Sequence, residues 1–542
     1  MDQSDVVDPS FPNQDDIILN QQLLEVIQTL YKSESEEESK RRLVVLGKIS
    51  EIFRDWCYQT ILKKPGMNEE MAMAAGGKIF TFGSYRLGVH GPGTDIDILC
   101  VAPRYITREE YERDMYEVLK KQPSVSKITG VFKTKVPLIK MVFDDVPIDL
   151  LFATLGSFDR IGDDLRNLMD DSVIARCDEK TTLSLNGPRN TDTTLSLVPN
   201  LANFRLTLKA VRLWAKRRAI YSNVLGFPGG AAWSILVAKI CRMYPNYLPN
   251  QLVRKFFYVY DMWDWNQAVF LRQVEQMQVS SSEPGLINVM TPAYPSFNST
   301  HTVNKHTKKA LCDEFHLANK ILTEVEAKRA AWTDIFEPID FFNEFRHFLK
   351  IEVLATTTTD FEDWHGFILS KLKLLLYENL DILKPAPYVR VYTHEVEFTD
   401  SVFPYTIAYY AGLKFIKQPV LESSRSVDLK FPVLKFVDVI FKMRREMGYN
   451  VTNTNLRVKY LTAEEIEPEL KARPGVSTRK RFRSFDDTID PEKRMKLDAE
   501  LRGIVSAESL PEPVVMELAA PAVTQPSAPP KKRITINLKA KK

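Results

Sequence analysis

The stretch Thr94-Asp95-Ile96-Asp97-Ile98-Leu99-Cys100-Val101-Ala102 admits few structures, because acidic and apolar residues alternate in it before it turns wholly apolar. In a strand alternate side chains share a face, so Asp95 and Asp97 project together while Ile96 and Ile98 enter a core. Two carboxylates held side by side repel and raise a pKa unless a divalent cation neutralises them, and hard Mg²⁺ prefers such oxygen ligands. A third acid, Asp149, interrupts the otherwise apolar strand VPIDLLF of the same unit. Three carboxylates can hold two ions roughly 3.5 to 4 Å apart, one activating an attacking oxygen and one bound to leaving phosphates. Upstream, the Gly83-Ser84 turn offers backbone N–H groups and a hydroxyl to such phosphates. A lone GS or a lone DxD is usually a solvated turn; together with Asp149 they point to metal-dependent nucleotidyl transfer.

The rest of the chain bounds the setting of that unit. At about 150 residues per domain, 542 residues imply roughly three or four domains. Hydrophobic residues at 44% and charged residues at 26% exclude collagenous, wholly disordered and disulfide-stapled classes. Cys57, Cys100, Cys177, Cys241 and Cys312 lie far apart with no CxxC pair, which suits a reducing compartment. No apolar run approaches the roughly 18 residues of a membrane span, and MDQSDVVDPS is acidic rather than signal-like, so a soluble intracellular protein with no membrane partner is expected. Residues 471–542 carry 16 Lys and Arg against 9 Asp and Glu, which leaves the first 470 residues at −4 within a net +3. Binding polyanions by acting as a general polycation is disfavoured, and polyphosphate must be met by local patches and metal.

Periodicity divides the chain into an α+β multidomain protein. SESEEESKRR opens a long amphipathic helix with Leu46, Ile49, Phe53 and Trp56 on one stripe. Short β-rich runs (KIFTFGSY, DIDILCVA, VPLIKMVF, VPIDLLFA) enclose a helical stretch near 108–122, giving a mixed α/β unit. FRLTLKAVRLWAKRRAI and AAWSILVAKICRMYP then read as helices. From about 345 the order is βαββαβ, the ferredoxin-like pattern of RNA-recognition modules, although an aromatic RNP1 string is missing and a plain structural domain stays equally open. The expected units are an N-terminal helical segment (1–55) packing with the central domain, a catalytic domain (56–200), a helical central domain (201–344), an RRM-like domain (345–465) and a disordered basic tail (466–542).

AGGKIFTFGSYRLGVHGPGTDIDILCVAPRYITREEY, VPLIKMVF, SLNGPRNTD, LWAKRRAIYSNVLGFPGG and TPAYPSFNST are far more specific than GS and DxD, and through them the chain resembles the eukaryotic nuclear poly(A) polymerases of the DNA polymerase β-like nucleotidyltransferase superfamily. The resemblance runs from about 40 to 310; beyond 350 only the domain pattern is similar. It implies a three-domain enzyme that adds AMP from ATP to RNA 3′ ends without a template, releasing pyrophosphate, with two Mg²⁺ ions, or Mn²⁺, on Asp95, Asp97 and Asp149. It implies that Phe82, Gly83 and Ser84 form the phosphate-binding turn. Lys140 matches a nucleotide-contacting lysine, though a solvated strand lysine is the plain reading. Tyr221 and Asn223 match residues that bind adenosine, and Gly229, Gly230 and Ala231 would aim backbone N–H groups at the triphosphate. Arg212 stands where lysine is usual, changing a point donor into a planar fork. Lys135 replaces an aromatic, and the segment before TPAYP is shortened. The basic clusters STRKRFRS, PEKRMKL and PPKKR read either as a solvated tail or as nuclear-import signals; with the resemblance, import receptors and cleavage-and-polyadenylation factors join RNA and ATP as expected partners, and the location is nuclear. A relative adding uridine or CCA, and an inactive RNA-binding scaffold, are the competing readings.

Overall fold

The computed structural model describes residues 6–272, 285–384, 386–415 and 427–471. Its first helices are set by their caps. α1 (Gln14–Leu30) starts at Asn13 and α2 (Glu36–Leu62) at Ser35, each through a reciprocal capping box, and Glu36, Glu37 and Glu38 lie where the helix dipole favours negative charge. α1 buries Leu23 and Ile27 among the central helices, whereas α2 buries Val45, Ile49, Phe53 and Trp56 against a sheet. Residues 55 and 56 therefore fall within an unbroken helix, and of the expected 1–55 segment it is α1 that packs with the central domain. The apolar stripe of α2 has its complement in β-strands.

α3 (Glu69–Ala75) leads into β1 (Lys78–Phe82). The expected strand KIFTFGSY stops there, because Gly83 turns at φ +62° and α4 (Gly83–Leu87) begins. β2 (Ile96–Pro103) is followed by α5 (Arg108–Glu110), a π-wound turn at Tyr111–Met115, and α6 (Tyr116–Lys120). β3 (Val125–Val131), β4 (Leu138–Phe143) and β5 (Val146–Leu155) complete a sheet of order β1-β2-β5-β4-β3 in which only the β2–β5 pair is parallel. One face packs Ile98, Cys100, Leu150 and Phe152 under α2, Tyr111 and Met115. The other packs Leu99, Val101, Leu151 and Ala153 under Leu185 of α7 (Glu179–Leu197). By the alternation of a strand, Asp97 and Asp149 belong to this second face.

The central domain consists of α8 (Leu201–Arg217), α9 (Gly230–Met243), α10 (Pro249–Met262) and α11 (Lys305–Glu326), gathered on an aromatic core of Trp214, Trp233, Phe256, Phe257 and Phe315. After α12 (Phe341–Glu344) come β6 (His347–Ala355), α13 (Thr358–Lys373), β7 (Tyr388–Glu397), β8 (Tyr405–Lys414), α14 (Lys430–Glu446), β9 (Thr454–Thr462) and α15 (Pro468–Lys471). The antiparallel order β7-β8-β6-β9 is the ferredoxin-like one. Trp364, Ile368, Phe436 and Ile440 cover one face with α13 and α14. Part of the second face is filled by the chain itself: Phe341, Phe342 and Phe345 from one side, Ile466 and Leu470 from the other. Phe345 lies so close to Gly412 that a Cβ there would stand 2.4 Å from its ring. Residues 466–471 thus pack onto the sheet rather than opening a tail; the basic tail expected beyond them lies outside the described residues.

The central and C-terminal domains are tied by a buried carboxylate. Glu314 accepts hydrogen bonds from Arg218 (Nε, 2.6 Å) and Arg390 (Nη2, 2.6 Å), and these two charges outweigh burial to hold its carboxyl below the usual range.

Candidate active site

Hydrogen-bond register lines the site up across the first sheet. Phe82 on β1 is opposite Asp97 on β2, Asp97 is opposite Asp149 on β5, and Asp149 is opposite Lys140 on β4. Asp95, two residues before Asp97, joins them from the loop that feeds β2. Among the described residues these three acids form a group whose carboxylate oxygens lie within 4.8 Å of one another. Burial, then the charges of Asp95 and Asp149, push the Asp97 carboxyl up to about 7, with Lys140 opposing. Asp149 is also raised, by burial first and by Asp95, against the pull of Lys140. Lys140 Nζ lies 3.4 Å from Asp149 Oδ2, and its side chain is 57% exposed, so it reaches into solvent beside the acids. One ammonium does not neutralise three carboxylates. The donor set, all oxygen and mutually repelling, fits a hard divalent cation.

Gly83 is the residue this packing most constrains. Its φ of +62° disfavours a side chain, and a Cβ built there would stand 2.1 Å from Asp97 Oδ2. Its N–H points to Thr191 Oγ1 on α7 at 3.4 Å. Phe82 lies against Gly187 of the same helix, where a Cβ would be 2.5 Å from its ring, so α7 fixes the strand end that carries Gly83 and Ser84.

A second group of residues comes from the central domain. Gly229 is the N-cap of α9 and makes no side-chain cap, so the first N–H groups of the helix, at Gly230 and Ala231, are left for another acceptor. Tyr221 and Asn223 lie against this helix start: a Cβ on Gly230 would be 2.9 Å from the Tyr221 hydroxyl, and one on Gly229 would be 3.2 Å from Asn223 Cβ. Arg212 and Lys216 of α8 stand 5.7 and 5.6 Å from the Tyr221 ring centre. Burial raises the Tyr221 phenol, Arg212 lowers it and Asp95 raises it, so the two groups of residues share one electrostatic field. Thr302, in the SFNSTHT segment, donates to Asn223 Oδ1 at 2.8 Å.

The structure thus brings Phe82, Gly83, Asp95, Asp97, Lys140 and Asp149 to one end of a sheet, and Arg212, Tyr221, Asn223, Gly229, Gly230 and Ala231 to the facing helix ends. Ser84 follows Gly83 in α4, which contacts α9. Thr191, Thr302 and Lys216 were not singled out from the sequence; Thr191 and Lys216 lie inside the strings SLNGPRNTD and LWAKRRAIYSNVLGFPGG, and Thr302 two residues past TPAYPSFNST. Lys135 lies in the β3–β4 turn, beyond the row of acids. A cavity of about 380 Å³ between α2 and α3, lined by Arg54, Tyr58, Met73 and Asp163, holds none of these residues.

Three family profiles match in succession: the poly(A) polymerase nucleotidyltransferase domain over 6–198, the poly(A) polymerase central domain over 203–338, and the poly(A) polymerase predicted RNA binding domain over 340–403. A poly(A) polymerase of Dictyostelium discoideum is 36% identical over 90% of this chain and 61% of its own length. Nuclear poly(A) polymerase 1 of Arabidopsis thaliana is 40% identical over 74% of this chain and 57% of its own length. A poly(A) polymerase of Candida albicans is 37% identical over 72% of each chain. The chain therefore spans about three fifths of the length of the first two relatives.

Proposed function

Since the chain belongs to the poly(A) polymerase family, we propose that it adds AMP units from ATP to RNA 3′ ends without a template, releasing pyrophosphate. The observation that carries the reading is the triad: three acids from two adjacent parallel strands and their feeding loop, gathered within 4.8 Å. Asp95, Asp97 and Asp149 would hold two divalent ions, with Mg²⁺ the expected metal and Mn²⁺ the alternative. Bound there, such ions supply charge neutralisation at the phosphates and activation of the attacking oxygen. The protein's own part is positioning. Gly83 lets the backbone turn directly beside Asp97, which brings its strand end and Ser84 to the phosphates. Lys140, exposed and next to Asp149, meets the same phosphates as a point charge. The uncapped start of α9, with Arg212, receives the distal phosphates, and the Tyr221 ring takes the adenine face while Asn223 bonds the nucleoside. In the transfer the primer 3′ hydroxyl loses its proton to solvent and its oxygen bonds the α-phosphorus as the bond from that phosphorus to the α–β bridging oxygen breaks, so pyrophosphate leaves with the bridging oxygen.

The expected division into catalytic (56–200), central (201–344) and RRM-like (345–465) domains, extended so that all of α2 belongs to the first and residues 466–471 to the last, follows the same division of labour, with the C-terminal module engaging RNA. Nuclear residence, import through the basic tail and recruitment by cleavage-and-polyadenylation factors complete the reading; the nuclear Arabidopsis relative supports it. Incubating the full chain with an RNA oligonucleotide, Mg²⁺ and each NTP in turn tests it. Extension with ATP alone is expected. Extension with UTP or CTP would favour a different tailing enzyme, and no extension would favour a scaffold.

A further inference from the structure

α8 carries Arg205, Lys209, Arg212 and Lys216 at a 4-3-4 spacing, which sets them on one side of the helix over about 16 Å. None of the four has an acidic partner among the described residues. Arg212 and Lys216, over Tyr221, form the nucleotide end of this stripe. Arg205 lies about two turns behind Arg212. Its Nε donates to the Leu87 carbonyl at 3.0 Å, at the far end of the α4 turn that starts beside Asp97. The Lys209 ammonium stands 5.4 Å from the centre of the Tyr31 ring, and the Tyr31 hydroxyl donates to the Val89 carbonyl in the loop leading to Asp95. Tyr31 also feels the charge of Arg212 and the Tyr221 phenol, so the stripe is continuous from α1 to the nucleotide end. Burial lowers Lys209 and Lys216, and the neighbouring cation lowers each further, Arg205 acting on Lys209 and Arg212 on Lys216. Neighbouring cations that repel one another and lack carboxylates, as the partly buried Arg205 and Lys209 do, are a site for an anion.

We propose that Arg205 and Lys209 form a second anion site, distinct from the nucleotide's own phosphate contacts, that takes the pyrophosphate leaving group as it departs along α4 and α8. The inference rests on the reaction proposed above. A small multivalent anion matches the place: the strip adjoins the nucleotide end and is walled by Tyr31 and the loop at Val89. A polynucleotide backbone would need an open groove.

The test is calorimetric titration of Mg²⁺-pyrophosphate into the full chain saturated with a non-hydrolysable ATP analogue, which fills the nucleotide end. Wild type is expected to bind pyrophosphate still, Lys209→Met to lose about tenfold or more in affinity, as befits one charge-assisted contact, and Lys209→Arg to restore it. Lys209→Gln stands in if the Met variant melts early. The proposal is overturned if analogue-saturated wild type takes up no pyrophosphate, if both uncharged variants bind it as wild type does, or if they lose RNA-primer affinity instead. Because no turnover is needed, a chain that fails to add AMP still reports on this site.

Discussion

Asp97 on β2 and Asp149 on β5 are direct register partners across the only parallel strand pair of the first sheet. Parallel pairing places their carboxylates side by side, and Gly83 closes over Asp97 from the turn that follows β1. Gly83→Ala should therefore act twice. The positive φ costs about 1 kcal/mol or more, and the new Cβ displaces Asp97. A lowered melting temperature together with at least tenfold slower primer extension is expected, roughly the penalty of one misplaced catalytic group. Wild-type rates in this variant would show that the turn does not position the acid.

If the triad holds a divalent ion as proposed, stability should respond to metal and pH together. Asp97 has its folded-state pKa raised to about 7 from an ordinary 3.8. A carboxyl raised in this way favours the fold most below the unfolded value, and that contribution is lost as pH rises through 7. A divalent cation replaces the missing proton. The gain in melting temperature on adding Mg²⁺ to chelator-treated protein should be larger at pH 8 than at pH 5.5, and Asp97→Asn should shrink it. An equal gain at both pH values would count against the triad as the ion's site.

His306 predicts the opposite slope. It is 5% exposed; the Val389 N–H donates to its Nδ1 at 3.2 Å and its Nε2 donates to Asp381 at 3.1 Å, an arrangement that requires the neutral ring. Burial lowers its pKa from 6.5, Asp381 opposes and nearby Lys305 adds to the lowering. Stability from this joint between the central and C-terminal domains is present above pH 6.5 and lost as pH falls through the lowered value. Melting curves from pH 8 to 5 should show a loss that His306→Gln flattens; parallel curves for the two proteins would remove His306 from the account.

Asn223 makes a weaker claim. Its amide oxygen is engaged by Thr302, and one hydrogen bond to a nucleotide is worth about 0.5–1.5 kcal/mol. Asn223→Ala should raise KM for ATP by roughly two- to tenfold with kcat little changed. Thr302→Val, which frees the Asn223 side chain to turn, should show part of that effect. No change in KM for either variant would make the pair purely structural.

How much of this was legible beforehand varies with the kind of pattern. Strand alternation exposed Asp97 and Asp149, because period two fixes a face without any knowledge of the neighbours; Asp95, expected on the same strand face as Asp97, instead joins from the loop just before β2. The βαββαβ order could likewise be read from changes of period. β3 stayed hidden: SKITGV mixes polar residues and glycine on an edge strand, where one side meets solvent and burial imposes no pattern. The Gly83-Ser84 turn was legible, but the helix α4 that it opens was not, because Ser84 and Tyr85 suit a strand as well as a helix, and the carboxylate packed against the turn lies 14 residues on. Thr302 and the Arg218–Glu314–Arg390 cluster depend on contacts between distant segments, which no local spacing encodes. The aromatic cover on the second sheet was hidden for the same reason, since the approach of Phe345 to Gly412 joins segments nearly 70 residues apart.

The most direct measurement is single-turnover extension of a 5′-labelled RNA primer by ATP and Mg²⁺, comparing wild type with Asp97→Ala at matched, verified folding. The account predicts AMP addition by wild type and a loss of at least about a thousandfold in the variant, since an acid that organises the metal site serves the transition state far more than the fold. Equal extension rates for the two proteins would contradict it.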